Sequence, residues 1–124
     1  MKKILLAEDD KFINRAYTDG LTQAGFEVIS THDGQEALEK IKSEKLDLIL
    51  LDLVMPIKNG FEVMEEIKPD KELNKIPIII LSNLGQESDI EKGKSLGAVD
   101  YLIKSNFSMK EVIDKIKLFF AKNS

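Results

Sequence analysis

Residues 46–52 read Leu-Asp-Leu-Ile-Leu-Leu-Asp, a short apolar run that ends on an acid. Residues 76–81 repeat the pattern as Ile-Pro-Ile-Ile-Ile-Leu, with Pro77 near the start, where a strand tolerates the missing N–H. Both runs are nearly continuous rather than alternating, which is typical of parallel strands covered on both faces. Further apolar runs lie at Lys3–Ala7, Phe26–Thr31 and Val99–Ile103. The sequence therefore predicts five strands.

Helical patterns separate and follow these strands. Between residues 12 and 24, apolar residues recur at three- and four-residue steps, which places Phe12 on the inner face and turns Asn14 outward. Gly25 is typical of a helix C-terminal stop. The other helices are predicted at residues 34–44, 61–67 and 87–96, and from about residue 108 onward, where Ser108 and Glu111 form a capping-box pattern. Strands that alternate with helices indicate an α/β fold, a doubly wound parallel sheet with helices on both faces and right-handed crossovers.

The composition limits the class of protein. The chain has 124 residues, 43% apolar and 32% charged, which fits one domain over residues 1–124 and is too apolar for a disordered chain. It has no cysteine, which excludes disulfides and thiolate chemistry. No apolar run approaches the roughly 20 residues of a membrane helix, and the N-terminus is not a signal peptide, so we expect a cytoplasmic protein. The net charge of −4 gives no reason to expect a nucleic-acid partner.

Polar residues follow the predicted strands, at the edge where an open parallel sheet binds its ligands. They are Glu8, Asp9 and Asp10 after the first strand, His32 and Asp33 after the second, Asp52 after the third, Ser82 after the fourth and Lys104 after the fifth. Clustered carboxylates repel one another unless a cation lies among them, and oxygen donors without Cys or a second His favour Mg²⁺. A carboxylate can attack phosphorus, while an ammonium and a hydroxyl hold the other phosphoryl oxygens. We interpret Asp10 as the cap of the following helix.

Four motifs in chain order resemble the receiver domain of two-component response regulators. They are Ile-Leu-Leu-Ala-Glu8-Asp9-Asp10, Asp52-Leu-Val-Met-Pro56 with Gly60, Leu81-Ser82, and Asp100-Tyr101-Leu-Ile-Lys104. The resemblance covers nearly the full length and implies a flavodoxin-like sheet with the strand order 2-1-3-4-5. It also implies a phosphorylation-dependent signalling switch that assists only its own phosphorylation and dephosphorylation, rather than a classical enzyme.

The resemblance implies a role for each residue around the acids. Asp52 matches the phosphoacceptor, which takes a phosphoryl group from a sensor histidine kinase or a phosphotransfer protein. Asp9 and Asp52 match the side-chain ligands of Mg²⁺, for which Mn²⁺ can substitute, and the Val54 backbone carbonyl matches a third ligand. Glu8 matches the acid that reaches the metal through water. Lys104 matches the lysine that contacts the phosphoryl group.

The resemblance also implies how a signal leaves the domain. Ser82 matches the switch hydroxyl, and Tyr101 matches the aromatic residue whose rotamer follows it. The output surface is the face formed by the fourth helix, the fifth strand and the fifth helix, which contacts a downstream protein. We expect a monomer or weak dimer that contacts neither nucleic acid nor membrane directly.

Three departures from the family pattern affect these expectations. Lys104 is usually followed by a cis proline, but here Ser105 follows, and a cis bond without proline costs about 2.5–4 kcal/mol, so we expect a trans bond. Asn83 stands where a small residue is common and narrows access to the phosphoryl group. Val54 and Leu84 are apolar and offer no group to orient attacking water, which predicts a long-lived aspartyl phosphate.

Alternatives from other functional classes lead to different expectations. A receiver-like binding module would act by constitutive contacts without phosphorylation, and the chain could also be an excised receiver of a larger regulator. A flavin carrier needs a Ser/Thr/Gly phosphate loop after the first strand, where this chain has three acids. A hydrolase with an aspartyl nucleophile usually has a second Asp two residues later, where this chain has Val54.

Overall fold

The computed structural model describes residues 1–123. A sheet of five parallel strands runs in the order β2-β1-β3-β4-β5, which confirms the predicted fold class and strand order. The strands are β1 (Lys3–Ala7), β2 (Glu27–Thr31), β3 (Leu48–Leu51), β4 (Ile78–Ser82) and β5 (Asp100–Ile103). The inner strands β1, β3 and β4 are almost wholly buried, whereas the edge strands β2 and β5 are partly exposed.

The predicted helices form close to their expected bounds. They are α1 (Lys11–Gln23), α2 (Gly34–Ser43), α3 (Gly60–Ile67), α4 (Glu87–Ser95) and α5 (Met109–Lys122), with short 3₁₀ turns at Leu73–Lys75 and Lys104–Asn106. Gly25 ends the first helical segment with φ +97°, and the Ser108–Glu111 capping box forms as predicted. None of the helices in residues 1–123 is long and apolar enough to cross a membrane.

Successive side chains of the inner strands enter two separate cores. Leu5, Ile49 and Ile80 join the core that α2 and α3 cover. Ile4 and Leu50 point the other way, into the core that α1 and α5 cover. Both faces of each inner strand are therefore apolar, which explains the continuous runs, and each such side chain contributes about 1.5–3 kcal/mol on burial. The two cores hold the carboxyl ends of the strands in fixed register at one edge.

Two expectations for α1 are wrong. Phe12 is 88% exposed, although the periodicity placed it on the inner face. Asn14 is only 2% exposed, although it was expected to face outward. The reason is that its side chain hydrogen-bonds two backbone carbonyls at the strand ends: Asn14 Nδ2 donates to the carbonyl oxygens of Glu8 and Thr31, both at 2.9 Å. Phe12 lies in the first turn of α1, at the carboxyl edge of the sheet.

Candidate functional site

Three carboxylates meet at the carboxyl edge of the sheet. Glu8 and Asp9 follow β1, and Asp52 follows the adjacent strand β3, where Ala7 is paired with Leu51. The Asp52 N–H donates to the Ala7 carbonyl at 3.0 Å, so the two strand ends stay side by side. One oxygen from each of the three carboxylates lies within 4.8 Å of the others. Parallel register thus brings acids 44 residues apart into one cluster.

Lys104 reaches this cluster from the end of β5. Its ammonium donates to Glu8 Oε2 at 2.5 Å and to Asp52 Oδ2 at 3.0 Å. Glu8 and Asp52 are 4% and 6% exposed, whereas Asp9 faces solvent. Charged hydrogen bonds are strong in such surroundings, and loss of Lys104 would be costly because it would leave two buried acids without their shared cation. The bond between Lys104 and Ser105 is trans, as expected.

The protonation of the site depends on burial and on this lysine. Burial raises the pKa of Glu8 to about 7; the hydrogen bond from Lys104 lowers it, and neighbouring Asp52 raises it. For Lys104, burial lowers the pKa, but the hydrogen bond to Glu8 and the charge of Asp52 outweigh burial, so the pKa lies above its ordinary value. The lysine therefore stays charged, while Glu8 exchanges a proton near neutral pH.

The site opens to solvent through a cleft of about 270 Å³. Its walls are Asp9, Asp52, Val54, Ser82, Asn83 and Lys104. Ser82 is buried at the end of β4, and its hydroxyl accepts a hydrogen bond from the Leu84 N–H at 3.4 Å. Asp52 Oδ1 accepts from the Val54 N–H at 3.3 Å, which holds the backbone after β3 against the carboxylate. The cleft is therefore lined by carboxylates together with a hydroxyl and an ammonium.

The donor atoms of the cluster suit a hard divalent cation. Glu8, Asp9 and Asp52 would supply carboxylate oxygens, which Mg²⁺ prefers. His32 lies outside the cluster and faces Glu36 at the start of α2, with Nδ1 3.7 Å from the carboxylate. The donors at this site are therefore oxygen atoms alone, as expected for Mg²⁺ rather than a softer metal.

Comparison with known proteins identifies the family. Residues 4–117 match the response regulator receiver domain. The chain belongs to this family. Receiver domains are signalling domains of two-component systems, and as a family they interact with histidine kinases and downstream targets. Phosphorylation-dependent switching and Mg²⁺ binding at an acidic pocket are general properties of receiver domains.

The chain is similar in sequence and in structure to individual response regulators. Response regulator RR06 from Streptococcus pneumoniae is 40% identical over 114 residues, covering 92% of this chain and 51% of that protein. The solved Mn²⁺-bound response regulator Rcp1 is 31% identical with a TM-score of 0.87, covering 97% of this chain and 94% of Rcp1. The phosphorylated cyanobacterial phytochrome response regulator RcpA is 34% identical with a TM-score of 0.86, and the match covers 99% of this chain and 96% of RcpA. This receiver chain spans about half the length of the curated relatives it matches.

Sequence reasoning missed the hydrogen bonds of two asparagines beside this site, since it placed Asn14 on the outer face of α1 and gave Asn83 only the effect of narrowing access to the phosphoryl group. Asn14 holds the Glu8 and Thr31 carbonyls, as described above, and its Oδ1 also accepts from the Ser30 hydroxyl at 2.5 Å. Asn83 Oδ1 accepts from the backbone N–H of Ser105 at 3.0 Å, which joins the loops after β4 and β5. Apolar periodicity carries no signal for either residue. The predicted Asp10 cap does form, and its carboxylate accepts from the N–H groups of the first turn of α1.

Tyr101 connects the loop after β4 with α4. Its hydroxyl donates to the Leu84 carbonyl, two residues beyond Ser82. A Cβ atom at Gly93 would lie 3.1 Å from the tyrosine ring, so α4 packs closely on the ring because residue 93 has no side chain. Tyr101 is half-buried, and burial raises the pKa of its phenol. The ring is thus in contact with both segments that follow Ser82.

Proposed function

We propose that this chain is a phosphorylation-dependent switch that accepts a phosphoryl group on Asp52. The observation that carries the proposal is the buried Asp52 carboxylate, which lies 3.0 Å from the Lys104 ammonium and lines an open cleft. One Asp52 oxygen attacks phosphorus, the new O–P bond forms, and the P–N bond of a donor phosphohistidine breaks with its electron pair left on the imidazole. A sensor histidine kinase or a phosphotransfer protein is the expected donor.

In this mechanism the site acts mainly by neutralising the negative charge of the carboxylates and of the phosphoryl group. Asp9 and Asp52 would hold Mg²⁺, with the Val54 backbone carbonyl as a further ligand and Glu8 acting through water. Bound Mg²⁺, or Mn²⁺ in its place, would neutralise charge on the carboxylates and on the incoming phosphoryl oxygens. The Mn²⁺-bound structure of Rcp1 supports this exchange of metals. Lys104 would then turn one of its N–H donors from Glu8 to a phosphoryl oxygen.

The output of the switch begins at Ser82. A phosphoryl group on Asp52 would add charge in the cleft, and Ser82 is the residue that β4 contributes to the lining of that cleft. Movement of Ser82 would carry the Leu84 loop with it, since the two residues are hydrogen-bonded. Tyr101 holds the Leu84 carbonyl and packs on Gly93, so the surface formed by α4, β5 and α5 would change its shape and bind a downstream protein.

Intact mass tests this function directly. The chain is incubated with acetyl phosphate and Mg²⁺, and we expect a mass increase of one phosphoryl group in the native chain. The adduct should be absent from Asp52→Ala and should remain in Asp19→Ala, which changes an exposed acid of α1. An adduct that persists in Asp52→Ala, or its absence from the native chain, contradicts the proposal. A receiver-like binding module that acts without phosphorylation would give the second result.

A further inference from the structure

We propose that Asn83 is a positioning residue for Lys104 and acts through the backbone N–H of Ser105. Asn83 directly follows Ser82 at the end of β4, and Ser105 directly follows Lys104 at the end of β5. The hydrogen bond from Ser105 N to Asn83 Oδ1, 3.0 Å long, therefore ties the two loops that border the cleft. This inference rests on the proposed function, because it assigns a part in Asp52 phosphorylation.

The bond supplies an acceptor that the local backbone lacks. Residues 104–106 form a single 3₁₀ turn, which the Phe107 N–H closes on the Lys104 carbonyl at 3.3 Å. The first N–H groups of such a turn have no acceptor within it, and the residue before this turn provides no side-chain cap. Asn83 caps the turn from the loop that follows the neighbouring strand β4.

The cap controls where the lysine ammonium lies. Lys104 has a long side chain with many rotamers, and its ammonium lies 3.0 Å from Asp52, where it would be within reach of a phosphoryl group on that carboxylate. The Ser105 N–H and the Lys104 carbonyl belong to the same peptide unit, so the hydrogen bond to Asn83 fixes the orientation of that unit. A fixed backbone at Lys104 restricts the positions that the lysine ammonium can reach. Misplacement of a catalytic group by about 1 Å can cost up to roughly 100-fold in rate.

The same bond accounts for two departures in the sequence at once. Proline in place of Ser105 would have no N–H and would need no acceptor at position 83. Ser105 has an N–H, and Asn83 Oδ1 accepts a hydrogen bond from it. The two residues are therefore a matched pair, and their effects on Lys104 should depend on each other.

Amide hydrogen exchange tests the bond itself. In NMR of the native chain and of Asn83→Ala, we expect the Ser105 amide to exchange about tenfold faster in the variant, the equivalent of roughly 1.4 kcal/mol for one hydrogen bond. Asn83→Asp keeps an acceptor oxygen and should preserve the slow exchange. Equal exchange rates in the native chain and Asn83→Ala would overturn the inference.

Phosphorylation kinetics test the positioning role. We expect Asn83→Ala to lower the maximal rate of Asp52 phosphorylation by acetyl phosphate by about five- to tenfold, with less than about twofold change in the half-saturating concentration. Asn106→Ala removes a neighbouring exposed amide and should leave both values unchanged. A cooperative thermal unfolding transition in each variant would establish that the variant is folded.

A double-mutant cycle separates this role from a general loosening of the loop. Ser105→Pro removes the donor, so it should cost at least about threefold less in the Asn83→Ala background than in the native one. Independent effects that multiply would overturn the inference while leaving the proposed function intact. A native chain that gains no phosphoryl group would overturn both, whatever the exchange rates.

Discussion

The Lys104 ammonium donates to the Glu8 carboxylate at 2.5 Å, a contact between residues 96 positions apart in the chain. It partly neutralises a buried acid that would otherwise face Asp52 as a like charge. The negative charge of the cluster is therefore reduced by the Lys104 ammonium and, at neutral pH and below, by protonation of Glu8. A divalent metal that binds here would compete with both, and the consequences can be measured.

Metal binding should depend on pH through Glu8. The pKa of Glu8 is raised to about 7 without metal, so below that pH a cation must displace a proton from it. We expect the association constant for Mg²⁺ to rise from pH 5 to pH 7, by at most tenfold per pH unit, and to level off above pH 8. Isothermal titration calorimetry of the native chain and of Glu8→Gln would measure this. An equally steep rise in Glu8→Gln would assign the proton to another group.

The stability of the metal-free chain should also reveal the Glu8 pKa. Since this acid has a folded-state pKa above its unfolded value of about 4.5, its ionisation opposes folding, and stability falls as pH rises from about 4.5 to 7. Glu8→Gln mimics the neutral acid and should raise the free energy of unfolding by about 1–2 kcal/mol at pH 8 but very little at pH 4. Urea unfolding in the presence of a chelator provides the comparison. A loss of stability at pH 8 would show that the charged pair with Lys104 outweighs burial.

Asn14 should matter more to stability than an average polar residue of a helix. Asn14→Ala removes the buried side-chain donor of the Glu8 carbonyl and one of the two donors of the Thr31 carbonyl, which still accepts from the Glu8 N–H at 3.1 Å. We expect a loss of about 2–3 kcal/mol in the free energy of unfolding. Arg15→Ala, at the next and exposed position, should change stability by less than about 0.5 kcal/mol. Equal effects of the two substitutions in chemical denaturation would contradict the role of Asn14.

The loop after β3 contains a strained residue. Ile57 has φ +70° and is 74% exposed, in a tight turn in which the Lys58 N–H donates to the Pro56 carbonyl at 2.8 Å. The bond from residue 58 to residue 56 closes a γ-turn around Ile57, a conformation that is strained for a residue with a Cβ atom, and here little burial compensates. Ile57→Gly should therefore raise the thermal midpoint, by the equivalent of about 0.5–1 kcal/mol in stability, because glycine tolerates positive φ, while Ile57→Val should not. A lower midpoint for Ile57→Gly would show that the isoleucine makes a stabilising contact.

The lifetime of the phosphoryl group should be long in the native chain. Val54 and Leu84 are exposed apolar residues, one at the cleft and one beside Ser82, and neither can orient a water molecule for attack. The double variant Val54→Asn with Leu84→Glu should lose its phosphoryl group roughly tenfold faster, because it gains groups that can position water. Loss of the mass adduct after removal of the phosphodonor gives the rate. Leu118→Glu, at an exposed position of α5, is the matched control, and equal lifetimes in all three proteins would refute the expectation.

Local patterns were enough to predict the elements and the edge of the sheet where the polar residues gather. The continuous run at residues 46–51 indicates a strand buried on both faces, and the Ser108–Glu111 pattern is a short-range hydrogen-bonding signal that depends on neighbours in the chain. The resemblance to receiver domains added the strand order. Each of these signals lies within a few residues or within a motif.

Only the tertiary structure decided which polar atoms became partners. Asn14 turns inward because two strand ends present carbonyls to it, and helical periodicity counts apolar residues without counting unpaired acceptors. The bonds of Lys104 to Glu8 and of Ser105 to Asn83 depend on the register of strands that lie far apart in the chain. The sequence by itself therefore determined that acids, a hydroxyl and an amine would meet at one edge. Strand register and buried hydrogen bonding decided which of them touch, because a hydrogen bond requires atomic distances that no pattern along the chain specifies.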